Sequence, residues 1–259
     1  GFREVVLTGI HLGHYGVDWN RSKPKEFWTR LSHLVHSLAE IPGDFRVRLS
    51  SIEATEVTRE LIEVLAENPR KICPHLHISM QSGSDGVLRR MRRRWGSRRF
   101  IDRCLLLKER LDQPAITTDI IVGFPGETDH EFYETCETSR QVGFSKIHIF
   151  PFSARRGTLA AEMPGQVENT VKQARGRELA TLETELRETY FASLRGKQLR
   201  VLVESPLEST PGLVVGTSCR YTPVELSGDT RSVGKFAEVI AGSSSAGRIL
   251  ASRTHVERV

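Results

Sequence analysis

The sequence predicts an α/β fold followed by a small antiparallel β-barrel, and three observations carry that prediction. Strand-like and helical runs alternate over residues 1–195, as expected for βα units on a parallel sheet. After Gly196 the helical periodicity stops. Five short alternating runs follow, separated by Gly and Pro, the pattern of a small antiparallel barrel. The change of character falls at Arg195 and Gly196, giving a core of 1–195 and a β domain of 196–259.

The elements follow in order. Glu4 to Thr8 is a buried-strand run that stops at Gly9. Phe27, Leu31, Leu34, Val35 and Leu38 share one face, which predicts a helix over Pro24 to Glu40. Phe45 to Leu49 is the second strand. Thr58 opens a helix through Ala66, with Glu60 and Glu63 toward its start and Leu61, Ile62 and Leu65 turned inward. Leu76 to Ser79 is a short strand, Ser84 to Met91 and Ser97 to Leu111 are helices, and Ala115 to Val122 is strongly β-type. Glu127 to Val142 is helical, with Gly143 as its stop. Ser145 to Phe150 is the fifth strand, and Val167 to Leu194 is a long polar helix. In the β domain the runs are Lys197 to Glu204, Leu213 to Thr217, Tyr221 to Leu226, Phe236 to Ile240 and Arg248 to Ser252.

Composition narrows the class. Of 259 residues 38% are apolar, 27% charged and 7% aromatic, an ordinary soluble makeup able to bury a core. The formal charge of +5 is compatible with a nucleic-acid partner and equally with a solvated basic surface. No run approaches the ~20 apolar residues of a membrane span and no leader is visible, so the cytoplasm is the expected compartment and no membrane is an expected partner. Cys73, Cys104, Cys136 and Cys219 show no ligand-type spacing and read as small buried hydrophobes. The chain opens on Gly1 and enters a strand almost at once, which reads as an N-terminally truncated fragment.

Parallel strands joined by helices place ligand groups at their carboxyl ends, and polar or glycine-rich strings stand there. The first strand ends Thr8-Gly9-Ile10-His11-Leu12-Gly13, either an ordinary turn or a backbone suited to close ligand approach. The second ends Ser50-Ser51-Ile52-Glu53. The third ends Ser79-Met80-Gln81-Ser82-Gly83-Ser84, where Gln81 can donate and accept and Ser84 can cap the next helix. His75 and His77 share one strand face without a third ligand, so no metal site is assigned. The fourth strand ends Gly123-Phe124-Pro125-Gly126-Glu127, a weak nucleotide-type signal. The fifth ends Phe150-Pro151-Phe152-Ser153, whose aromatics serve either core packing or stacking on adenine. Arg89, Arg90, Arg92, Arg93, Arg94, Arg98 and Arg99 crowd one stretch with Trp95. Arginine forks suit phosphate and an exposed aromatic suits a base; a solvated charge run is the plain alternative.

The strings VVLTGIHLG, RLSSIEATEVT, CPHLHISMQSGSD, TTDIIVGFPGET and SKIHIFPFSARRGT, in this order, resemble the tRNA methylthiotransferases of the radical S-adenosylmethionine superfamily. The Thr-Gly-Ile-His and Ser-Ser-Ile-Glu strings favour the branch acting on N6-threonylcarbamoyladenosine. The resemblance implies a partial (βα)6 TIM-like radical SAM barrel followed by a TRAM-like RNA-binding barrel. It implies S-adenosylmethionine and two 4Fe–4S clusters as cofactors, with the tRNA anticodon stem-loop and a sulfur donor as partners. In such enzymes an adenosyl radical takes hydrogen from C2 of the adenine, a methylthio group is installed, and a second S-adenosylmethionine supplies the methyl. The cluster cysteines of the family have no counterpart here, so the chain by itself is expected to be inactive, and no catalytic residue and no metal ligand is assigned. By motif position, Thr8 and Gly9 meet the methionine end of the cofactor. Ser51, Glu53, Gln81, Ser82 and Arg93 hold its carboxylate and ribose, and Ile121, Val122, Phe150 and Phe152 line its adenine. Arg92, Arg94, Arg98, Arg155, Lys197 and Arg220 are the expected RNA contacts. Three departures stand out: Ala54 replaces a family Pro, Arg92 a family Asn, and Ala154 and Arg156 two prolines flanking Arg155. A non-catalytic RNA-binding protein and a related enzyme with another substrate are the rival readings.

Overall fold

Six short parallel strands form the larger half of the computed structural model, which describes residues 1–254. They are β1 (Glu4–Leu7), β2 (Arg46–Leu49), β3 (Ser51–Ile52), β4 (His75–Ile78), β5 (Ala115–Val122) and β6 (Lys146–Pro151). β1 pairs with β2, and β3, β4, β5 and β6 follow in sequence order. The expected strand Phe45 to Leu49 is β2, and β3 follows it after a break at Ser50. The Ser50 N–H still donates to Leu7 O at 2.9 Å, so the chain leaves β1 and joins β4 without leaving the sheet. The result is an open arc of parallel strands, as the βα pattern requires.

Helices cover the outside: α1 (Val17–Asn20), α2 (Leu31–Glu40), α3 (Arg59–Glu67), α4 (Asp85–Arg90), α5 (Ser97–Arg110), α6 (Asp129–Val142), α7 (Leu159–Glu162) and α8 (Asn169–Ser193). Their buried faces meet the strands in one core that includes Val35, Leu61, Leu65, Phe100, Leu107, Phe144 and Leu179. The Thr58 hydroxyl caps α3 by accepting from Leu61 N at 3.2 Å. Thr128 and Glu131 make a reciprocal box at α6. Gly143 ends that helix at φ 63°, the left-handed conformation that glycine adopts without steric penalty.

Two helix starts differ from the sequence expectation. The run from Pro24 is a 3-10 turn over Lys25–Phe27 followed by extended Trp28, and α2 begins only at Leu31. The amide of Asn20 takes both backbone groups of Thr29, donating to its carbonyl and accepting from its N–H at 2.8 Å each. The same backbone groups cannot then serve a helix. α6 begins at Asp129 because Glu127 turns inward, its carboxylate accepting from Gly123 N and Arg175 Nη1, each at 2.7 Å.

The C-terminal strands are β7 (Gln198–Pro206), β8 (Leu213–Ser218), β9 (Pro223–Ser227), β10 (Phe236–Ser245) and β11 (Arg248–Arg253). They close in the order β10-β11-β9-β8-β7. Every pair is antiparallel except β9 with β11, which runs parallel. Leu199, Val201, Val203, Val214, Val224, Leu226, Val239 and Ile249 fill the barrel, and Tyr190 and Phe191 of α8, with Leu194 just past its end, pack onto it. Among the described residues no helix is long and apolar enough to cross a membrane.

Candidate active site

The strands run parallel, so the carboxyl ends of β1, β3, β4, β5 and β6 lie on one side of the sheet, its rim. The second-strand and third-strand segments meet there through an ion pair: Arg93 Nη1 lies 3.0 Å from Glu53 Oε1. Arg92 at φ 57° turns the chain after α4, an uncommon conformation for a residue other than glycine and one that collects at ligand sites. Glu53 is held from behind, its N–H donating to Glu56 Oε2 at 2.9 Å. The rim encloses a cleft of about 620 Å³ lined by Arg92, Arg93, Ile121, Phe124, Phe152 and Met163 among others. Phe152 meets Phe124 edge to face, with ring centroids 5.1 Å apart.

The remaining expected cofactor residues divide. Thr8, Gly9 and Ser51 are exposed at the rim but are not among the residues lining this cleft. Phe150, on β6, is half-exposed and does not line it either. Gln81 sits at φ 65° with its backbone sewn to β5: its N–H donates to Asp119 O and its carbonyl accepts from Ile121 N, each at 2.9 Å. Ser82 does not face the rim. It is fully buried, its hydroxyl paired with Thr135 Oγ1 at 3.1 Å and accepting from Ser84 N, because α6 packs directly over it. Val122 also turns away: alternation along β5 sends Ile121 to the cleft and buries Val122. Only its carbonyl reaches the rim, accepting from Phe152 N at 2.8 Å.

The expected RNA contacts divide in the same way. Arg92, Arg94 and Arg155 are exposed, and Arg98 makes a solvent-exposed pair with Asp102 at 3.1 Å. Arg220 is buried and committed, donating to the carbonyls of Gln113 and Asp112 at 3.0 and 2.9 Å. Lys197 pairs with the same Asp112 at 2.9 Å. Trp95 is not the exposed stacking platform its sequence setting allows. It is buried, with its ring 5.6 Å from that of Phe100.

Sequence reasoning put His75 and His77 on one strand face but missed their partners in the polar layer below the rim. His75 Nε2 and His77 Nδ1 lie 3.1 and 3.0 Å from Thr117 Oγ1, and His77 Nε2 is 3.2 Å from Asp119. Period-two alternation on two neighbouring strands, β4 and β5, brings these groups to one face. Burial drives His75 well below the usual imidazole range, and the nearby Arg48 charge acts in the same direction. Also missed was Arg175, 48 residues from Glu127. Burial holds Glu127 above the ordinary carboxylate range despite that partner.

The cysteines do not fit an iron–sulfur cluster. Cys73, Cys104 and Cys136 are buried. Burial raises the first two thiols to about 12 and the third to about 11, which disfavours the thiolate a cluster needs.

The Radical SAM superfamily model matches residues 14–138, which sets the class. The threonylcarbamoyladenosine tRNA methylthiotransferase MtaB of Bacillus subtilis is 42% identical over 241 residues, covering 92% of this chain and 52% of that protein. The MtaB of Thermotoga maritima is 40% identical over 253 residues, covering 98% and 55%. A tRNA-2-methylthio-N(6)-dimethylallyladenosine synthase of Desulfitobacterium hafniense is 33% identical, covering 93% and 52%. The chain belongs to the MiaB/MtaB-like methylthiotransferase family, a family of radical SAM enzymes. It spans about half the length of these curated relatives.

Proposed function

We propose that this chain is the cofactor-seating and RNA-holding part of a cytoplasmic tRNA methylthiotransferase acting at C2 of N6-threonylcarbamoyladenosine beside the anticodon. One observation carries the reading: Arg93, paired with Glu53, lines a cleft walled by Ile121 and Phe152. That pairing offers a carboxylate to an ammonium and a guanidinium to a carboxylate, the two charges of an amino-acid end. The apolar walls suit a purine ring. When bound, S-adenosylmethionine supplies radical chemistry and the methyl group. The chain's residues bind and orient it: Thr8, Gly9 and Ser51 border the methionine end, and Gln81 presents an amide beside it. Phe150 adds an aromatic face at the rim. Cluster ligands, the sulfur donor and any chemical step on them lie with groups other than this chain's cysteines.

Residues 1–195 act as the radical SAM core, and 196–259 as a TRAM-like unit that adds RNA affinity. Exposed Arg92 borders the cleft, and exposed Arg94, Arg98 and Arg155 add cationic surface, which suits the phosphates of an anticodon stem-loop. The substrate branch is supported by identities of 42% and 40% to the two threonylcarbamoyladenosine enzymes, against 33% to the dimethylallyladenosine enzyme.

The test is nucleoside analysis of tRNA from a strain lacking the gene. The expected result is loss of the methylthio group from threonylcarbamoyladenosine, with the unthiolated nucleoside accumulating. Unchanged methylthiolation there, or loss from a dimethylallyl nucleoside instead, rejects the substrate assignment. Purified chain that binds tRNA but shows no affinity for S-adenosylmethionine leaves the RNA-binding reading in its place.

A further inference from the structure

We propose that His11, His14 and Glu56 form a binding site for a divalent transition metal of the zinc class. The inference stands apart from the function proposed above and uses none of the residues lining the cofactor cleft.

The three side chains come from two loops. A 3-10 turn over Leu12–His14 follows β1 and places the imidazoles three residues apart. Their rings stack with centroids 4.0 Å apart and 17° between planes. A second 3-10 turn, Ala54–Glu56, follows β3 and delivers the carboxylate. The three ligand atoms all lie within 4.8 Å of one another.

The carboxylate is aimed before any metal arrives. The Glu56 side chain is only 7% exposed. Its Oε2 accepts from Glu53 N at 2.9 Å, which leaves Oε1 facing the histidines. That oxygen lies 2.9 Å from His11 Nδ1 and 3.7 Å from His14 Nε2. Ligands about 2.0–2.1 Å from a tetrahedral zinc stand about 3.3 Å apart, between those two separations. A hydrogen bond accounts for His11 alone; His14 is beyond hydrogen-bond reach of the same oxygen. Gly13 permits the approach, since a Cβ there falls 2.1 Å from the Glu56 carboxyl carbon.

Two histidines and a glutamate are the protein ligands of open zinc sites, whose remaining position holds water. The His11 and His14 side chains, 44% and 59% exposed, leave that position open to solvent. His14 and Glu56 also border a separate cleft of about 530 Å³. A metal here staples the loop carrying Thr8 and Gly9 to the loop carrying Ser51 and Glu53.

The test uses the untagged chain after chelator treatment. Calorimetry follows Zn²⁺, and visible ligand-field absorption follows Co²⁺. One equivalent of each is expected to bind. His11→Ala and His14→Ala each weaken Zn²⁺ on the order of a hundredfold and remove the Co²⁺ band. His36→Ala, an exposed histidine on α2, leaves both unchanged. Zn²⁺ raises the melting temperature of the native chain but not that of His14→Ala. Circular dichroism of the variants checks that the fold is retained. No saturable binding by the native chain, or binding that survives both substitutions, overturns the proposal.

Discussion

The guanidinium of Arg46 donates to the carbonyl oxygen of Thr217 at 2.9 Å, joining the first residue of β2 to β8 across 171 residues of sequence. Arg46 is almost fully buried, with Nε 2.5 Å from Glu4 and Nη1 2.7 Å from the Arg200 carbonyl. Arg48 beside it donates to Glu4 and to the Ser218 carbonyl. Tyr221 stacks on His75 with centroids 4.8 Å apart. Glu4, Arg46 and His75 all stand at the starts of their strands. The C-terminal barrel therefore closes the end of the parallel sheet opposite the rim, and the polar interior is sealed from below.

Removing Arg46 leaves the Glu4 carboxylate to Arg48 alone and takes a donor from each of two barrel carbonyls, those of Arg200 and Thr217. Arg46→Ala is expected to cost about 3 kcal/mol. Urea unfolding measures it, and a loss under about 1 kcal/mol contradicts this account of the junction.

Acid should unfold the protein in two stages. His75 is held neutral, below its unfolded value of about 6.5. The stability it contributes is present above that pH and is lost as pH falls below it. Burial alone raises Glu4, but the bonds and charges of Arg48 and Arg46 outweigh that and lower it. Its contribution is therefore present above the ordinary carboxylate value and is lost only below about pH 4.3. His75→Gln should flatten the first stage and Glu4→Gln the second, in unfolding free energy measured against pH.

At the start of α6 the Thr128 hydroxyl accepts from Glu131 N at 3.2 Å, and the Glu131 carboxylate accepts from Thr128 N at 2.9 Å. Thr128→Ala removes half of this exchange. A loss of about 1 kcal/mol is expected, read as a lower melting temperature by circular dichroism.

Gly216 crosses β7 so closely that a Cβ would lie 2.1 Å from Leu202 O. The obstacle is backbone and cannot swing aside. Gly216→Ala should cost about 2 kcal/mol or more in thermal or urea unfolding; a neutral effect contradicts the closed barrel.

Arg93→Ala and Glu53→Gln each remove one charge of the rim pair. Each should weaken S-adenosylmethionine about tenfold or more by calorimetry. Ser82→Ala should leave that affinity unchanged and lower stability instead, since the hydroxyl bonds Thr135. The opposite pattern would return Ser82 to the cofactor site and discard the cleft.

Much of this was available from local sequence. The strand at Ala115–Val122, the Thr58 and Thr128 caps and the Gly143 stop depend on alternation, capping and backbone freedom within a few residues. The run of short strands after Gly196 was equally legible, because apolar alternation and turn residues are local properties.

Tertiary packing alone decided where polar side chains point. Ser82 and Gln81 are adjacent in one polar string, yet α6 claims the first hydroxyl while β5 holds the second residue at the rim. Arg220 and Arg94 look alike in sequence, but Asp112 and Gln113 bind one and leave the other in solvent. His11 and Glu56 meet at 2.9 Å across 45 residues, and no local pattern encodes that distance. Periodicity reports which face of an element is buried; it carries no information about which distant group lies opposite, and that partner sets each polar side chain's role.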